Sequence, residues 1–158
     1  MRSNFCGELN KTNLNEEVIL CGWVNRRRDH GGVIFLDLRD KKGLAQIVIN
    51  PETADTFKLA ETIRNEFVIK VTGKVLARDS EMINKKIPTG EIEVLADKIE
   101  ILNASKPIPF QLDSMETSEE VRLKYRYLDL RRDEMQQRLR LRSKVTHFMR
   151  DFMDKNDF

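Results

Sequence analysis

The chain carries the sequence VIFLDLR over residues 33–39, in which every second residue is a large aliphatic one. Alternation with a period of two is typical of a β-strand that has one face against a core and the other against solvent. It assigns Ile34, Leu36 and Leu38 to the core face and leaves Phe35 on the opposite face. An aromatic ring in that position can stack on an unpaired nucleobase. The alternative is that Phe35 packs under a loop, since single apolar residues are common on protein surfaces.

Around this strand, the pattern of the first hundred residues predicts a small barrel. The predicted elements are strands over residues 18–26, 33–39 and 44–49, a helix opened by Asn50-Pro51 and running through Arg64, and strands over residues 67–76 and 91–101. Three strands, a helix and two strands is the order of a five-stranded Greek-key OB barrel, so the predicted fold class is mainly β. Gly73 is expected to mark a bulge or a sharp bend of the barrel, and the fifth strand is expected to be interrupted near Asp97-Lys98. In an OB barrel, strands 2 and 3 and the adjoining loops bind oligonucleotides.

Three regions follow one another along the chain. Strand patterns stop near residue 104, and Pro107 and Pro109 suit neither a helix nor an inner strand. Beyond them the sequence favours helices. The predicted regions are an OB domain over residues 1–103, a linker and hinge over residues 104–132, and the truncated start of a second domain over residues 133–158.

Two helices are predicted in the last third of the chain. Thr117 and Glu120 have the spacing of a capping box, and a longer helix is expected from Asp133, whose carboxylate suits the positive end of a helix. The longer helix has an apolar stripe of Leu141, Val145, Phe148, Met149 and Phe152. Because a finished protein would cover such a stripe, we expect the chain to be a fragment cut inside its second domain.

Composition and motifs argue against several classes of function. The formal net charge of +2 is close to neutral, so a site for a polyanion must come from local clusters of basic residues. Cys6 and Cys21 lack metal-ligand spacing and are expected to be free thiols, with Cys21 buried. No signal peptide or membrane span is apparent, which predicts a cytoplasmic protein without membrane contacts. No phosphate-binding loop, nucleophile or metal cluster is visible, so we expect no catalytic residue and no metal site.

Side chains that could bind a nucleic acid converge on the face of Phe35. Strand 3 is expected to turn Ala45, Ile47 and Ile49 inward and Leu44, Gln46 and Val48 outward. Gln46 can read the pairing edge of a pyrimidine, and Glu93, which points out of the fifth strand, can accept from guanine. Arg28 and Arg78 would neutralise phosphates or fork onto base edges. Each residue alone is more often a solvated position, but their convergence favours a binding face.

Four motifs carry a family resemblance over essentially the whole chain. They are CGWVNRRRD at residues 21–29, DLRD at 37–40, GEIEV at 90–94 and LKYRYLDLRR at 123–132. Together with Phe35 they resemble the bacterial-type aspartyl-tRNA synthetases. The resemblance implies an N-terminal OB domain that binds the anticodon of tRNA, a hinge, and a class II catalytic domain that dimerises through its first motif. The whole enzyme would be a cytoplasmic homodimeric ligase of protein biosynthesis that uses aspartate, ATP and Mg2+. Motifs 2 and 3, which bind ATP, are absent, so this chain alone is expected to hold no cofactor and to be inactive.

The resemblance also implies roles for individual residues. Phe35 would stack on the central uridine of the anticodon, Gln46 would read its edge, and Glu93 would face the first base, a guanine or its queuosine derivative. The contacts with the loop would be completed by Arg28, Arg78 and Asn84. Met82 stands where many relatives have a polar residue, which leaves Asn84 as the better candidate in that loop. His30 stands where relatives strict for tRNA-Asp often have leucine, and it resembles members that also charge tRNA-Asn.

Two alternatives are kept open. One is the anticodon domain of an asparaginyl- or lysyl-tRNA synthetase, whose cognate anticodons share the central uridine; the stretch over residues 125–132 argues against it. The other is a free-standing OB protein that binds single-stranded nucleic acid, and the uncovered stripe after residue 140 argues against that. A free binder should tolerate many sequences, whereas an anticodon domain should prefer one seven-base loop.

Overall fold

The first of two compact units, Met1–Pro107, is a closed five-stranded barrel in a computed structural model that describes residues 1–114 and 116–158. Its main elements are β1 (Glu17–His30), β2 (Val33–Asp40), β3 (Gly43–Ile49), α1 (Ala54–Thr62), β4 (Val68–Ala77) and β5 (Ile92–Asn103). The strands follow one another around the barrel in the order β1-β2-β3-β5-β4, and β4 closes it by pairing with β1. β3 and β5 run parallel, and the other neighbours run antiparallel. The predicted OB barrel is confirmed.

The period-two pattern decides which side chains fill the barrel. Ile34, Leu36 and Leu38 are fully buried, while the residues between them on β2 are partly exposed. Val48 departs from the simple pattern, because it lies opposite the outward-facing Phe35 and yet is only 7% exposed. Its neighbour on the other side is Leu95 of β5. Two large side chains flank Val48 across the strands, so an outward position here is also a buried one.

A bulge in β1 reverses the faces of the residues that follow it. Val24 pairs with Leu38 and Arg26 with Asp37, so Asn25 is the extra residue. Before the bulge, the even-numbered residues of β1 face the core, as the buried Val24 does. After it, Arg26 and the even-numbered residues beyond it face outward, because one inserted residue shifts the alternation by one. The bulge therefore places this basic end of β1 on the outer face of the sheet.

A buried ion pair lies next to this bulge. The Nη2 of Arg39 donates to both carboxylate oxygens of Glu66, at 2.8 and 3.0 Å, and its Nη1 donates to Oδ1 of Asn25 at 2.7 Å. The side chain of Glu66 is only 3% exposed. The guanidinium thus joins the bulge residue to the segment before β4, and we infer that it helps to hold the bulge.

Several local predictions need correction. α1 begins at Ala54 rather than at Pro51, because the backbone N–H and the hydroxyl of Thr53 both donate to the carbonyl of Asn50 and form a turn before the helix. The helix also ends before Arg64, at Thr62. The fifth strand is continuous, since Asp97 forms only a bulge opposite the Thr72–Gly73 step of β4.

A bulge lies at the Thr72–Gly73 step, but its extra residue is Asp97 of β5 and not Gly73. A Cβ atom on Gly73 would lie 2.2 Å from the carbonyl oxygen of Leu95. The two strands therefore approach here more closely than any side chain at residue 73 would allow.

The expected burial of Cys21 is wrong. Both cysteines are free thiols, as predicted, but Cys6 is the buried one and Cys21 is partly exposed. The reason lies in the alternation of β1, where Leu20 faces the core and its neighbour Cys21 therefore faces outward. The backbone N–H of Cys6 donates to the Asp40 carboxylate at 2.7 Å, which anchors the N-terminal segment to the end of β2.

The second unit, Ile108–Phe158, is helical. It contains α2 (Glu119–Lys124), α3 (Arg126–Asp129) and α4 (Asp133–Lys155). The cap of α2 is Ser118, whose hydroxyl accepts from the N–H of Val121, so the predicted capping box at Thr117 is wrong by one residue. α4 begins at Asp133 as predicted. Its apolar stripe is 50–71% exposed along Leu141, Val145, Phe148, Met149 and Phe152.

The predicted boundaries at residues 103 and 132 stay predictions, and Met115, inside the predicted hinge, lies outside the described residues. Across the described ranges 1–114 and 116–158, we find no helix that is both long and apolar enough to cross a membrane.

Candidate nucleic-acid interface

Two neighbouring rows of side chains cross the outer face of the barrel. The first, which we call the stacking row, runs from strand to strand through Arg28, Phe35, Val48, Leu95 and Lys74. The second, the polar row, consists of Arg26, Asp37, Gln46 and Glu93. Residues opposite one another on paired strands share a face and touch. An apolar strip and a charged strip therefore lie side by side on one surface.

The stacking row offers an aromatic ring to a ligand. Phe35 is partly exposed and lies beside the nearly buried Val48, which gives the ring a firm apolar neighbour. The imidazole of His30, at the end of β1, has its centroid 6.4 Å from that of Phe35, with the two planes tilted by 58°. Every nucleobase has a π-face, so such a ring can stack a base of any identity. The predicted outward position of Phe35 is confirmed.

A chain of hydrogen bonds connects Asp37, Gln46 and Glu93 of the polar row through Arg28 of the stacking row. The Nη2 of Arg28 donates to Oδ1 of Asp37 at 2.5 Å and to Oε1 of Gln46 at 3.4 Å. In turn, Nε2 of Gln46 donates to Oε2 of Glu93 at 3.2 Å. The Nε of Arg78 lies 3.7 Å from the same carboxylate oxygen. The predicted residues Arg28, Gln46, Arg78 and Glu93 are thus brought together in one network.

Asp37 is the member of this network that sequence reasoning missed as a site residue. The available signal was its position two residues after Phe35, which puts it on the same face of β2. It also lies opposite Arg26 of β1, the first of the three consecutive arginines at residues 26–28.

Arg78 holds a different position from the one predicted for a residue that meets phosphates. Its side chain is only 4% exposed, and its Nε donates to the backbone carbonyl of Ile92 at 3.0 Å. Among the described residues, its Nη2 has no hydrogen-bond partner. Burial lowers the pKa of Arg78, and the neighbouring Glu93 opposes that shift. This geometry favours a role for Arg78 in positioning the Glu93 carboxylate rather than in direct contact with a phosphate.

Both carboxylates of the polar row are partly withdrawn from water. Burial raises the pKa of Asp37, and the nearby Arg28 offsets part of that shift. Burial likewise raises the pKa of Glu93, while Arg78 and the hydrogen bond from Gln46 oppose the shift. A carboxylate has about four acceptor positions, so Glu93 keeps capacity for donors from a ligand beside its bond to Gln46.

The loop between β4 and β5 carries the remaining candidate, Asn84. Its Oδ1 accepts from the backbone N–H of Lys86 at 3.0 Å, and its backbone N–H donates to the carbonyl of Gly90. None of the network's hydrogen bonds described above includes it. Met82, in the same loop, is 70% exposed. The loop is therefore tied to itself, and among the described residues Asn84 makes no hydrogen bond to the polar row.

Comparisons with known proteins agree with the assignment of this surface as a candidate nucleic-acid interface. Residues 18–102 match a family model described as an OB-fold nucleic acid binding domain. Residues 118–158 match the family described as tRNA synthetases class II (D, K and N). The chain is similar to the aspartate–tRNA(Asp/Asn) ligase of Ruthia magnifica subsp. Calyptogena magnifica, at 66% identity over 158 residues. That similarity covers 100% of this chain and 27% of the relative, so the chain spans about a quarter of the relative's length.

Solved structures give the same architecture. The asparaginyl-tRNA synthetase of Pyrococcus horikoshii complexed with asparaginyl-adenylate superposes with a TM-score of 0.84 at 26% identity, over 97% of this chain and 34% of that chain. The aspartyl tRNA synthetase of Entamoeba histolytica superposes with a TM-score of 0.87 at 22% identity, over 96% of this chain and 37% of that chain. At the latter identity, the likeness establishes the fold alone.

Proposed function

The chain belongs to the family of OB-fold nucleic acid binding domains, and on that premise we propose that it is the anticodon-recognition module of an aspartate–tRNA ligase. It selects tRNA-Asp, with tRNA-Asn as an additional candidate, for aspartylation by the whole enzyme. The observation that carries the proposal is that the partly exposed ring of Phe35 shares one face with an amide and a carboxylate, which the network from Arg28 to Glu93 joins. The 66% identity to an aspartate–tRNA(Asp/Asn) ligase supports the choice of tRNA.

The module contributes binding energy and selection rather than bond-making. Sequence-specific recognition of RNA targets bases that are unstacked and splayed out, and contacts with the protein offset that cost. The central uridine stacks on Phe35 while Gln46 reads its pairing edge. Glu93 accepts from the N–H groups of guanine at the first position.

The remaining candidates act around these two bases. Arg28, which is partly exposed, meets the sugar–phosphate backbone or a base edge. Arg78 supports Glu93 from its buried position, and Asn84 contacts the anticodon loop from the segment between β4 and β5.

His30 is proposed as the residue that decides between tRNA-Asp and tRNA-Asn. The two anticodons differ only in the third base. The imidazole lies beyond Phe35 at the end of β1, with its centroid 6.4 Å from that ring, which is a suitable distance for the base next to the stacked uridine. The whole enzyme is compared with tRNA-Asp and tRNA-Asn as substrates. A large preference for tRNA-Asp that is unchanged in His30→Leu would contradict this role.

The remaining proposals concern the whole protein. We propose that it is a homodimer that uses aspartate, ATP and Mg2+, and we assign no ATP or Mg2+ ligand to this chain. The exposed stripe of α4 supports the dimer, since an apolar helix face of this size requires a partner.

A titration with short RNAs tests the proposal. The chain is titrated, at one stated salt concentration, with anticodon stem-loops that bear GUC, GUU, UUU and a scrambled triplet. We expect preference for GUC over the scramble, and near-equal binding of GUU if tRNA-Asn is also recognised. Preference for UUU would favour a lysyl enzyme, and equal binding of all four would favour a nonspecific single-strand binder.

A further inference from the structure

The side-chain amide of Gln46 lies between two charged groups of opposite sign. Its oxygen accepts from the Arg28 guanidinium at 3.4 Å, and its nitrogen donates to the Glu93 carboxylate at 3.2 Å. The reverse orientation would bring the NH2 group against a cation and the oxygen against an anion. The two charges therefore favour one of the two amide orientations.

Each of these charged groups has a partner of its own. Arg28 donates to Asp37 at 2.5 Å, and this ion pair is partly buried, with the two side chains 33% and 23% exposed. Glu93 has the buried Arg78 at 3.7 Å. Arg28 is long and flexible, and without Asp37 its guanidinium would lose the acceptor that directs it across the face towards Gln46. Orientation of the amide thus depends on Asp37 at one end and on Arg78 at the other.

A fixed amide distinguishes uridine from cytidine. Along the pairing edge, uridine presents the N3–H donor next to the O4 acceptor, whereas cytidine presents the N3 acceptor next to the N4 donor. An amide whose oxygen meets N3–H and whose nitrogen meets O4 fits uridine. To fit cytidine, the same amide must turn by 180°. An amide that turns freely accepts both bases, while an amide held by Arg28 and Glu93 accepts one.

We propose that Asp37 is a positioning residue for base selection, which through Arg28 holds the Gln46 amide in the orientation that accepts uridine and rejects cytidine. This role rests on the proposed function, because it concerns the base that stacks on Phe35. It adds a residue to the site and gives the ion pair beneath the amide a part in specificity.

The test compares two stem-loops that differ only at the central base, GUC and GCC, each titrated with the 158-residue chain. We expect the wild-type chain to prefer GUC by roughly 5- to 150-fold, the discrimination of a good bidentate edge contact. Asp37→Asn keeps the shape of the side chain but replaces the carboxylate that pairs with Arg28 by a neutral amide, which is a weaker acceptor, so it should lower that ratio. Asp29→Asn is the matched control, since this exposed aspartate lies on β1 and forms its ion pair with Arg27, at 3.5 Å; its ratio should match the wild type.

The ratio separates positioning from a general effect on folding or charge. A structural role of Asp37, or its repulsion of phosphates, would change the affinity for both loops equally, and an unchanged ratio in Asp37→Asn would overturn the proposal. If Asp37→Asn does not fold, as judged by thermal unfolding, Arg28→Lys replaces it, because an ammonium keeps the charge but lacks the planar guanidinium whose Nη2 donates to both Asp37 and Gln46. An unchanged ratio in Arg28→Lys would overturn the proposal equally.

The outcomes also separate this role from the proposed function. A wild-type chain that prefers GUC over a scrambled triplet but not over GCC keeps the proposed function and refutes the role of Asp37. A wild-type chain that does not distinguish GUC from the scramble refutes both.

Discussion

Replacement of Phe35 by alanine gives the most direct test of the proposed binding of RNA to this surface. Stacking of one base on an aromatic side chain contributes about 1–3 kcal/mol, which corresponds to about a 5- to 150-fold increase in the dissociation constant of the cognate stem-loop. The fold should survive the change. Phe35 is only partly buried on the outer face, so its truncation costs less than the roughly 3–5 kcal/mol of a buried phenylalanine.

Fluorescence anisotropy with a labelled GUC stem-loop measures the effect, and two further variants identify its cause. Phe35→Tyr keeps an aromatic face and should bind within a fewfold of the wild type. Phe35→Leu keeps an apolar cover over Val48 but offers no ring, so it should resemble Phe35→Ala. Thermal unfolding of all three variants checks that the barrel is intact.

Two results would refute the reasoning about Phe35. Wild-type affinity in Phe35→Ala would mean that the ring is structural. Wild-type affinity in Phe35→Leu alone would mean that the base rests against an apolar surface without stacking.

Three predictions concern charged residues of the barrel. Burial raises the pKa of Glu93, so acidification below neutral pH should protonate it before an ordinary glutamate and reduce the preference for guanine at the first anticodon base. Glu93→Gln should abolish this pH dependence. A guanine preference of the wild type that does not change with pH would contradict the assignment. The pKa of Glu93 is higher in the folded than in the unfolded chain, so Glu93 contributes stability at pH values below its unfolded pKa and loses that contribution as the pH rises through its folded pKa. Urea unfolding at several pH values measures this change in stability. Arg39→Ala should destabilise the barrel by about 3–5 kcal/mol in urea unfolding, since it removes the cation from a buried pair. The exposed pair of Lys11 and Glu91 is the control: Lys11→Ala should cost no more than about 1 kcal/mol, and equal costs for the two variants would refute the argument from burial.

Alternation and turn residues predicted the barrel well because both are local signals. The run from Val33 to Arg39 determines its own two faces, and Gly73 marks the point at which β4 and β5 approach closely. The errors fall where several local solutions compete. Asn50-Pro51 has the composition of a helix start, but the hydrogen bonds of Thr53 place that start three residues later.

The sequence predicts most of the side chains of the candidate site, but neither Asp37 nor the hydrogen bonds that connect the site. Phe35, Gln46 and Glu93 were placed on the outer face by strand periodicity alone. The bond between Gln46 and Glu93 joins residues 47 positions apart in the chain, and it depends on the parallel pairing of β3 and β5. Nothing in the sequence predicts that the side chain of Arg78 is buried, because burial at the end of a strand depends on what packs over it.

The strand pattern, the order of elements and therefore the OB barrel follow from hydrophobic periodicity, which is present in the chain residue by residue. The direction in which the arginines at 26–28 point depends instead on how the strands pair. Regular alternation from the buried Val24 would turn Arg28 into the core, and the one-residue bulge at Asn25 turns it outward to lie opposite Phe35. The physical reason is that a bulge is a property of two paired strands: the extra residue exists only in relation to the strand it fails to match.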